Sequence, residues 1–288
     1  MTHGVVATSQ SLRDALAAAR AYLSSRQSPG GGFCVYRSAL LDEPNLFDTW
    51  HAVATFALLG VAMPHAATCA HFVAAQGIDH QAHALYYRVR SLQALRTPDP
   101  KAIEVRDVVD GLVEHAPAPG TPASQLGGPL QALRHTVWLK RQFGCELRQA
   151  GIVEALLSLA DAGGGFPVPP DLLTTQAVCA VLHLCGHAIP ERTAEYVESL
   201  AVPGFGFRLT SNSLSPNLDT TCAGIQCCVW MHCALRHARD AQRFVLACQD
   251  GRGGFARAPG ALADLACTHL AIESLGLLCG PFGQIPQP

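Results

Sequence analysis

The chain is poor in charge. Asp, Glu, Lys and Arg make up 15% of its 288 residues, against about 25% in an average soluble domain. The charges nearly cancel, with 20 Lys and Arg against 22 Asp and Glu, and no basic stripe stands out, so nucleic acid is not an expected partner. Apolar runs are short as well: His, Gln or Arg breaks each one before the roughly 18–20 residues of a membrane span, so none is expected. The N-terminal apolar stretch carries Arg13, Asp14 and Arg20 and lacks the uninterrupted core of a signal peptide. Twelve cysteines follow no disulfide-scaffold spacing, so a reducing, cytoplasmic location is expected. Also missing are the Gly-x-Ser-x-Gly elbow, the phosphate-binding Gly-x-x-x-x-Gly-Lys-Ser/Thr loop, the His-Glu-x-x-His metal helix and any Cys-His-Gly ligand run. Disorder is excluded, because 49% apolar residues bury enough surface to offset the entropy of ordering the chain.

Glycine occurs in a pattern. Turns ending in Phe recur as GGGF at Gly30 to Phe33, GGGF at Gly163 to Phe166, GFGF at Gly204 to Phe207 and GGF at Gly253 to Phe255. Each leads through a loop into an apolar helical run: NLFDTWHAVATFALLG, LLTTQAVCAVLHLCG, NLDTTCAGIQCCVWM and LADLACTHLAIESLGLL. A more amphipathic helix precedes three of the four turns. Two degenerate units fill residues 61–146, the second of them spanning a Pro/Gly-rich linker from Ala116 to Gly128 between its two helices. Six units over 288 residues give 48 each, a period of repeat architectures. One helix pair cannot bury its own apolar face. Six pairs can close on themselves, with inner helices around a cavity and outer helices facing water. The expected fold is therefore all-α, a six-fold α/α toroid over residues 1–288. A buried inner ring also accounts for the low charge.

The segment FVLACQDGRGGFARAPGALADLACTHLAIESLGLL resembles a repeat of the protein prenyltransferase β-subunits, in the superfamily that also holds the squalene and terpene cyclases. The resemblance covers units one, four, five and six in motif, and units two and three in helix pattern. It implies a central cavity suited to an isoprenoid chain, and it leaves room for a helical partner subunit. It does not by itself transfer a reaction.

Aligning the inner helices by their starts puts Asp48, Asp219 and Asp264 at one position, with His51, Cys222 and Cys267 three residues later. The weaker units hold His80 and His83, Ala132 and His135, and Leu173 and Gln176 there. Residues three apart share a helix face. Two thiolates, a carboxylate and an imidazole from His51 or His269 are ligand types that zinc takes in tetrahedral sites. The resemblance implies a catalytic zinc held by an Asp and a Cys of one repeat and a His of the next. Asp219 matches the Asp. The family's Cys position is Thr221 here, with Cys222 one step on, and the family's His position is Cys267. Arg208 lies in the loop of the diphosphate-gripping Arg, but no Lys follows it. The metal set expected on this reading is Asp219, Cys222, Cys267 and His51.

A second reading needs no metal. The resemblance to proton-initiated terpene cyclases implies an alkene or epoxide protonated by the middle Asp of an Asp-x-Asp-Asp motif. This chain reads Asn217, Leu218, Asp219, Thr220, Thr221, so Asp219 keeps the middle place. A carboxyl that protonates an alkene must be kept neutral by an apolar site or by a neighbour that shares its proton. Asp219 is then the expected acid, with Asp264 and Asp48 beside it. Aromatic side chains that would line the cavity are Trp50, Phe56, Tyr86, Tyr87, Trp138 and Trp230. Asp at a helix start is also a common N-cap. The expected function is acid-initiated cyclisation or isomerisation of a hydrophobic, isoprenoid-like small molecule. Two alternatives stand beside it: a zinc-dependent prenyltransferase-like enzyme, and a non-catalytic toroid that binds a protein or lipid.

Overall fold

The computed structural model describes residues 9–38, 40–118 and 120–280. The ends of the expected toroid, residues 1–8 and 281–288, lie outside the described residues. Among the described residues, twelve α-helices alternate between two rings. The outer ring comprises α1 (Ser9–Ser25), α3 (Ala66–Ala75), α5 (Ala102–Asp110), α7 (Gln149–Leu157), α9 (Glu191–Ser199) and α11 (Ala238–Ala247). The inner ring comprises α2 (Leu46–Leu59), α4 (Ala82–Ala94), α6 (Gly127–Phe143), α8 (Leu172–Leu184), α10 (Leu218–Trp230) and α12 (Leu265–Cys279). Each inner helix packs on the next and α12 packs on α2, so the ring closes. Because an outer helix returns the chain each time, the inner helices run the same way. Their N-termini form one rim.

The repeat register is written in hydrogen bonds. Four inner helices begin with an Asn or Asp cap whose side chain accepts the N–H three residues on: Asn45 from Asp48 at 2.8 Å, Asp171 from Thr174 at 2.8 Å, Asn217 from Thr220 at 2.9 Å and Asp264 from Cys267 at 2.6 Å. Four residues after each cap stands a Thr whose Oγ1 accepts the N–H of the turn's Phe: Thr49 from Phe33, Thr175 from Phe166, Thr221 from Phe207 and Thr268 from Phe255. The four Phe rings are buried between the rings of helices. The Gly/Phe turn and the helix start are thus one tied unit.

The glycines lock neighbouring units together. Gly253 has φ +92°, and a Cβ there would lie 2.4 Å from the Ala18 carbonyl oxygen of α1. Only glycine accepts both that φ and that approach. Gly31 meets α3 and Gly164 meets α9 in the same way, so these three turns seat on the outer helix of the following unit. For the last unit the following helix is α1, and Tyr22 Oη donating to Ala263 O at 3.1 Å and Gln249 Nε2 to Ala15 O at 2.8 Å complete the seam.

Units two and three lack this apparatus: neither α4 nor α6 has a side-chain cap bond. Buried ion pairs stand in. Arg88 of α4, 1% exposed in its side chain, pairs with Asp99 at 2.7 Å and donates to the last carbonyls of α3 at Val73, Ala74 and Gln76. Lys140 of α6 pairs with Glu114 at 2.7 Å. Among the described residues no helix is long and apolar enough to cross a membrane.

Candidate active site in the lumen

The caps and threonines fix the register as NLFDT, DLLTT, NLDTT and DLACT. In that register the three aspartates do not share a position. Asp264 is the cap of α12, Asp219 is the second residue of α10 and Asp48 the third of α2. Likewise Cys267 aligns with Asp48, Thr174 and Thr220, Cys222 with Trp50, Gln176 and His269, and His51 with Ala177, Ala223 and Leu270. The loop between turn and helix varies in length among units, so alignment by Asp alone slips by one to three residues.

The three carboxylates nevertheless gather on one stretch of rim, because α10, α12 and α2 are consecutive in the ring. Asp48 is buried, and its Oδ2 accepts from Asn45 Nδ2 at 2.8 Å and from Val35 N at 3.2 Å. Burial pushes its carboxyl above the usual range, Asn45 and Val35 oppose that, and the charge of Asp264 adds to it. Asp219 is also raised, first by burial, while Arg257 pulls it down and Asp264 pushes it up. Arg257 Nε lies 2.7 Å from Asp219 Oδ2. The other carboxylate oxygen of Asp219 has no hydrogen-bond partner among the described residues. Asp264 is committed to its cap.

The proposed zinc ligands are not brought together. Cys222 is buried in the core and its thiol donates to Leu270 O at 3.5 Å. Cys267 is buried beside Asp264, and burial drives both thiols well above the normal range. Zinc takes thiolates, which these sites disfavour. His51 spends Nδ1 on His269. Among the described residues no three His, Cys, Asp or Glu side chains are arranged to hold a metal ion. The set Asp219, Cys222, Cys267 and His51 does not fit zinc.

One turn deeper than the aspartates, His51 of α2 and His269 of α12 bring their Nδ1 atoms to 2.8 Å. One ring must donate and the other accept, so this contact holds a single proton. Burial lowers both imidazoles, His269 to about 4 with help from the charges of Arg90 and Arg134, and His51 well below its ordinary value with help from His269. The pair is neutral near pH 7 and able to take a proton only from a strong acid. Around it runs an aromatic wall. Phe47 lies edge-on to His51 at 4.5 Å, Trp50 edge-on to His269 at 5.9 Å, and Tyr87 is 6.2 Å from His51. Tyr86 stacks on His135 at 4.1 Å and meets Trp138 edge-on at 5.1 Å.

Trp50, Tyr86, Tyr87 and Trp138 cluster on the inner helices α2, α4 and α6, the first three only 5–6% exposed. Phe56 lies apart from them, buried with Phe33 between the rings of helices. Trp230 stands apart against His183, 5.8 Å away near the ends of α10 and α8. Arg208 turns outward to Ser199 O. Across the ring, Gln176 Nε2 donates to Gln226 Oε1 at 2.7 Å, and Gln226 Nε2 donates to Glu273 Oε2 at 2.6 Å, a polar chain through α8, α10 and α12. Gln226, Glu273, Arg90 and Arg134 were not singled out from sequence. For Gln226 and Glu273, a polar residue in the middle of an otherwise apolar inner helix is the signal available.

A closed double ring of helices, with acids at one rim and aromatic rings and neutral histidines on the inner helices, defines an α/α toroid. The chain belongs to the prenyltransferase alpha-alpha toroid family: it matches that domain over residues 5–94 and 230–285, together just over half its length. Solved structures agree on the fold. Candida albicans protein geranylgeranyltransferase-I, complexed with GGPP, superposes with a TM-score of 0.64 at 15% identity, over 81% of this chain and 83% of that one. The type II terpene cyclase MstE from Scytonema, in complex with geranylgeranyl dihydroxybenzoate, superposes with a TM-score of 0.59 at 11% identity, over 93% of this chain and 97% of that one. No curated protein matches the sequence.

Proposed function

We propose that the chain is a terpenoid-cyclase-like enzyme that takes a hydrophobic, isoprenoid-like small molecule into its lumen and starts its cyclisation or isomerisation with a carboxylic acid. The observation that carries this reading is the raised carboxyl of Asp219 at the rim, with one oxygen held by Arg257 and the other free to carry a proton. Burial and the charge of Asp264 favour the protonated form, as an alkene-protonating acid requires. Asp48, also raised, is the second carboxyl on the same rim. The likeness to a terpene cyclase and a prenyltransferase supports an isoprenoid-like substrate.

A second reading, a toroid that binds its ligand without turnover, is favoured by Arg257 itself, whose guanidinium opposes protonation of Asp219. One experiment separates the two. Linear C15 to C30 polyprenyl alcohols, the corresponding polyprenoic acids and the terminal epoxides of both are incubated with the protein and the extracts analysed by mass spectrometry. The enzyme reading expects a cyclised or isomerised product that Asp219→Asn loses, with a melting temperature near that of wild type. Undiminished turnover by Asp219→Asn, or no conversion of any member of the panel, would overturn it.

A further inference from the structure

Arg90, from the middle of α4, sits in a box of three rings. Its guanidinium carbon lies 4.4 Å from the ring centre of Trp50 on α2, 5.4 Å from Tyr86 on α4 and 5.2 Å from Trp138 on α6. A side chain that touches three consecutive inner helices lies on the lumen side of the ring. Its Nη1 donates to Tyr86 Oη at 2.8 Å. Arg134 is on α6, four residues before Trp138, and so shares that face. Its charge is felt at His269 on α12, directly across the six-helix ring. Neither arginine has a carboxylate within ion-pair distance among the described residues. The neighbouring His51, His135 and His269 are neutral, and Glu273 on the far wall is tied to Gln226.

Two half-buried cations without a counterion are an electrostatic cost that a ligand can remove. The aromatic faces stabilise Arg90 as a cation, but they leave most of its five N–H donors unspent. A guanidinium edge matches a carboxylate in a two-bond fork. A diphosphate carries more charge than two arginines neutralise, and no described group of acidic side chains is arranged to bring a metal to it.

We infer that the lumen binds an apolar molecule through a carboxylate head group seated on Arg90 and Arg134. This rests on the lumen reading proposed above and narrows its substrate to an apolar carboxylic acid. It also assigns Arg90 a specificity role: the guanidinium fills the box that would otherwise favour a cationic centre, so any carbocation must form away from α4 and α6.

The test is a titration at pH 7.5 with three probes of one chain length, farnesoic acid, farnesol and farnesyl diphosphate, followed by tryptophan fluorescence, since Trp50 and Trp138 frame the box. The acid is expected to bind at least about ten-fold more tightly than the alcohol, the worth of a charge-assisted hydrogen bond, and more tightly than the diphosphate. Arg134→Gln, a residue with no hydrogen bond or ion pair among the described residues, should fold and should bring the acid to the affinity of the alcohol while leaving the alcohol unchanged. Equal binding of acid and alcohol by wild type, a preference for acid that survives both Arg134→Gln and Arg90→Gln, or tighter binding of the diphosphate would each overturn the carboxylate site while leaving the lumen reading in place. Binding of none of the three would overturn the lumen reading with it.

Discussion

Units one, four, five and six open their inner helices with an Asn or Asp cap and a Thr that receives a turn Phe N–H; units two and three have neither and rely on Arg88 with Asp99 and Lys140 with Glu114. The difference runs parallel to the chemistry of the lumen. In the regular units most polar side chains near the rim serve the fold, as Asp264 and the four threonines show. In the irregular units, polar groups in the middle of α4 and α6 face the lumen: Tyr86, Tyr87, Arg90, Arg134, His135 and Trp138. Where a repeat is most regular, its conserved-looking residues are structural. Where it degenerates, the inner wall is released for recognition.

The sharpest way to break that contrast is Arg88→Met. It leaves the half-buried Asp99 with only the Lys101 N–H and strips the Val73 and Ala74 carbonyls of α3 of the Arg88 donor, so about 3 kcal/mol of stability should be lost in urea denaturation. A loss below about 1 kcal/mol would mean that the irregular units are not held by this pair. Next comes the seam. Gly253→Ala introduces a strained φ and a contact with Ala18 O that backbone must yield to, for an expected loss of about 2–3 kcal/mol. Gly204→Ala, with φ +82° and open space around it, should cost about 1 kcal/mol. If the two cost the same, ring closure does not depend on the Gly253 contact.

The lumen side of the contrast is read by pH. The imidazole of His269 is held at about 4 in the folded protein and returns to the ordinary value near 6.5 on unfolding. The unfolded state therefore binds more protons between those values, and stability must fall as pH drops from about 6.5 to 4. His51 adds to the same slope, its imidazole being lowered too. Asp48 and Asp219, raised in the fold, act in the opposite sense. His269→Gln should flatten the fall in melting temperature over that window. An unchanged slope in His269→Gln would show that burial does not hold His269 neutral in the folded protein.

The overall ring was legible because glycine and phenylalanine mark the turns and because a 48-residue period leaves few architectures. The aromatic wall was partly legible, since Trp50, Tyr86, Tyr87 and Trp138 stand on predicted inner helices. What misled was the register. Asp, Asn and Thr all occupy helix starts for the same capping reason, so an alignment by Asp mixed a cap with residues two and three steps inside the helix. The pairing of Cys222 with Cys267 was a product of that slip, since a shared 45-residue spacing says nothing of which way a thiol turns. Arg90 and Arg134 were hidden for a different reason. In a sequence, a lumen arginine looks like Arg88, two residues away on the same helix, which is wholly structural.

The smallest effect distinguishes the aspartates from one another. Asp264 is a cap by its bond to Cys267 N and sits on the regular side of the contrast, so Asp264→Ala should lower stability by about 1 kcal/mol and Asp264→Asn by much less, since Asn caps as well as Asp. Asp219 caps nothing, and Asp219→Asn gives up only a pair with an Arg257 side chain that is 71% exposed, a contact of a kind worth little in stability. A cap and a functional acid are thus told apart by which substitution each tolerates. If Asp219→Asn destabilised as much as Asp264→Ala, Asp219 would join the structural set, and the acid at the rim would have to be Asp48.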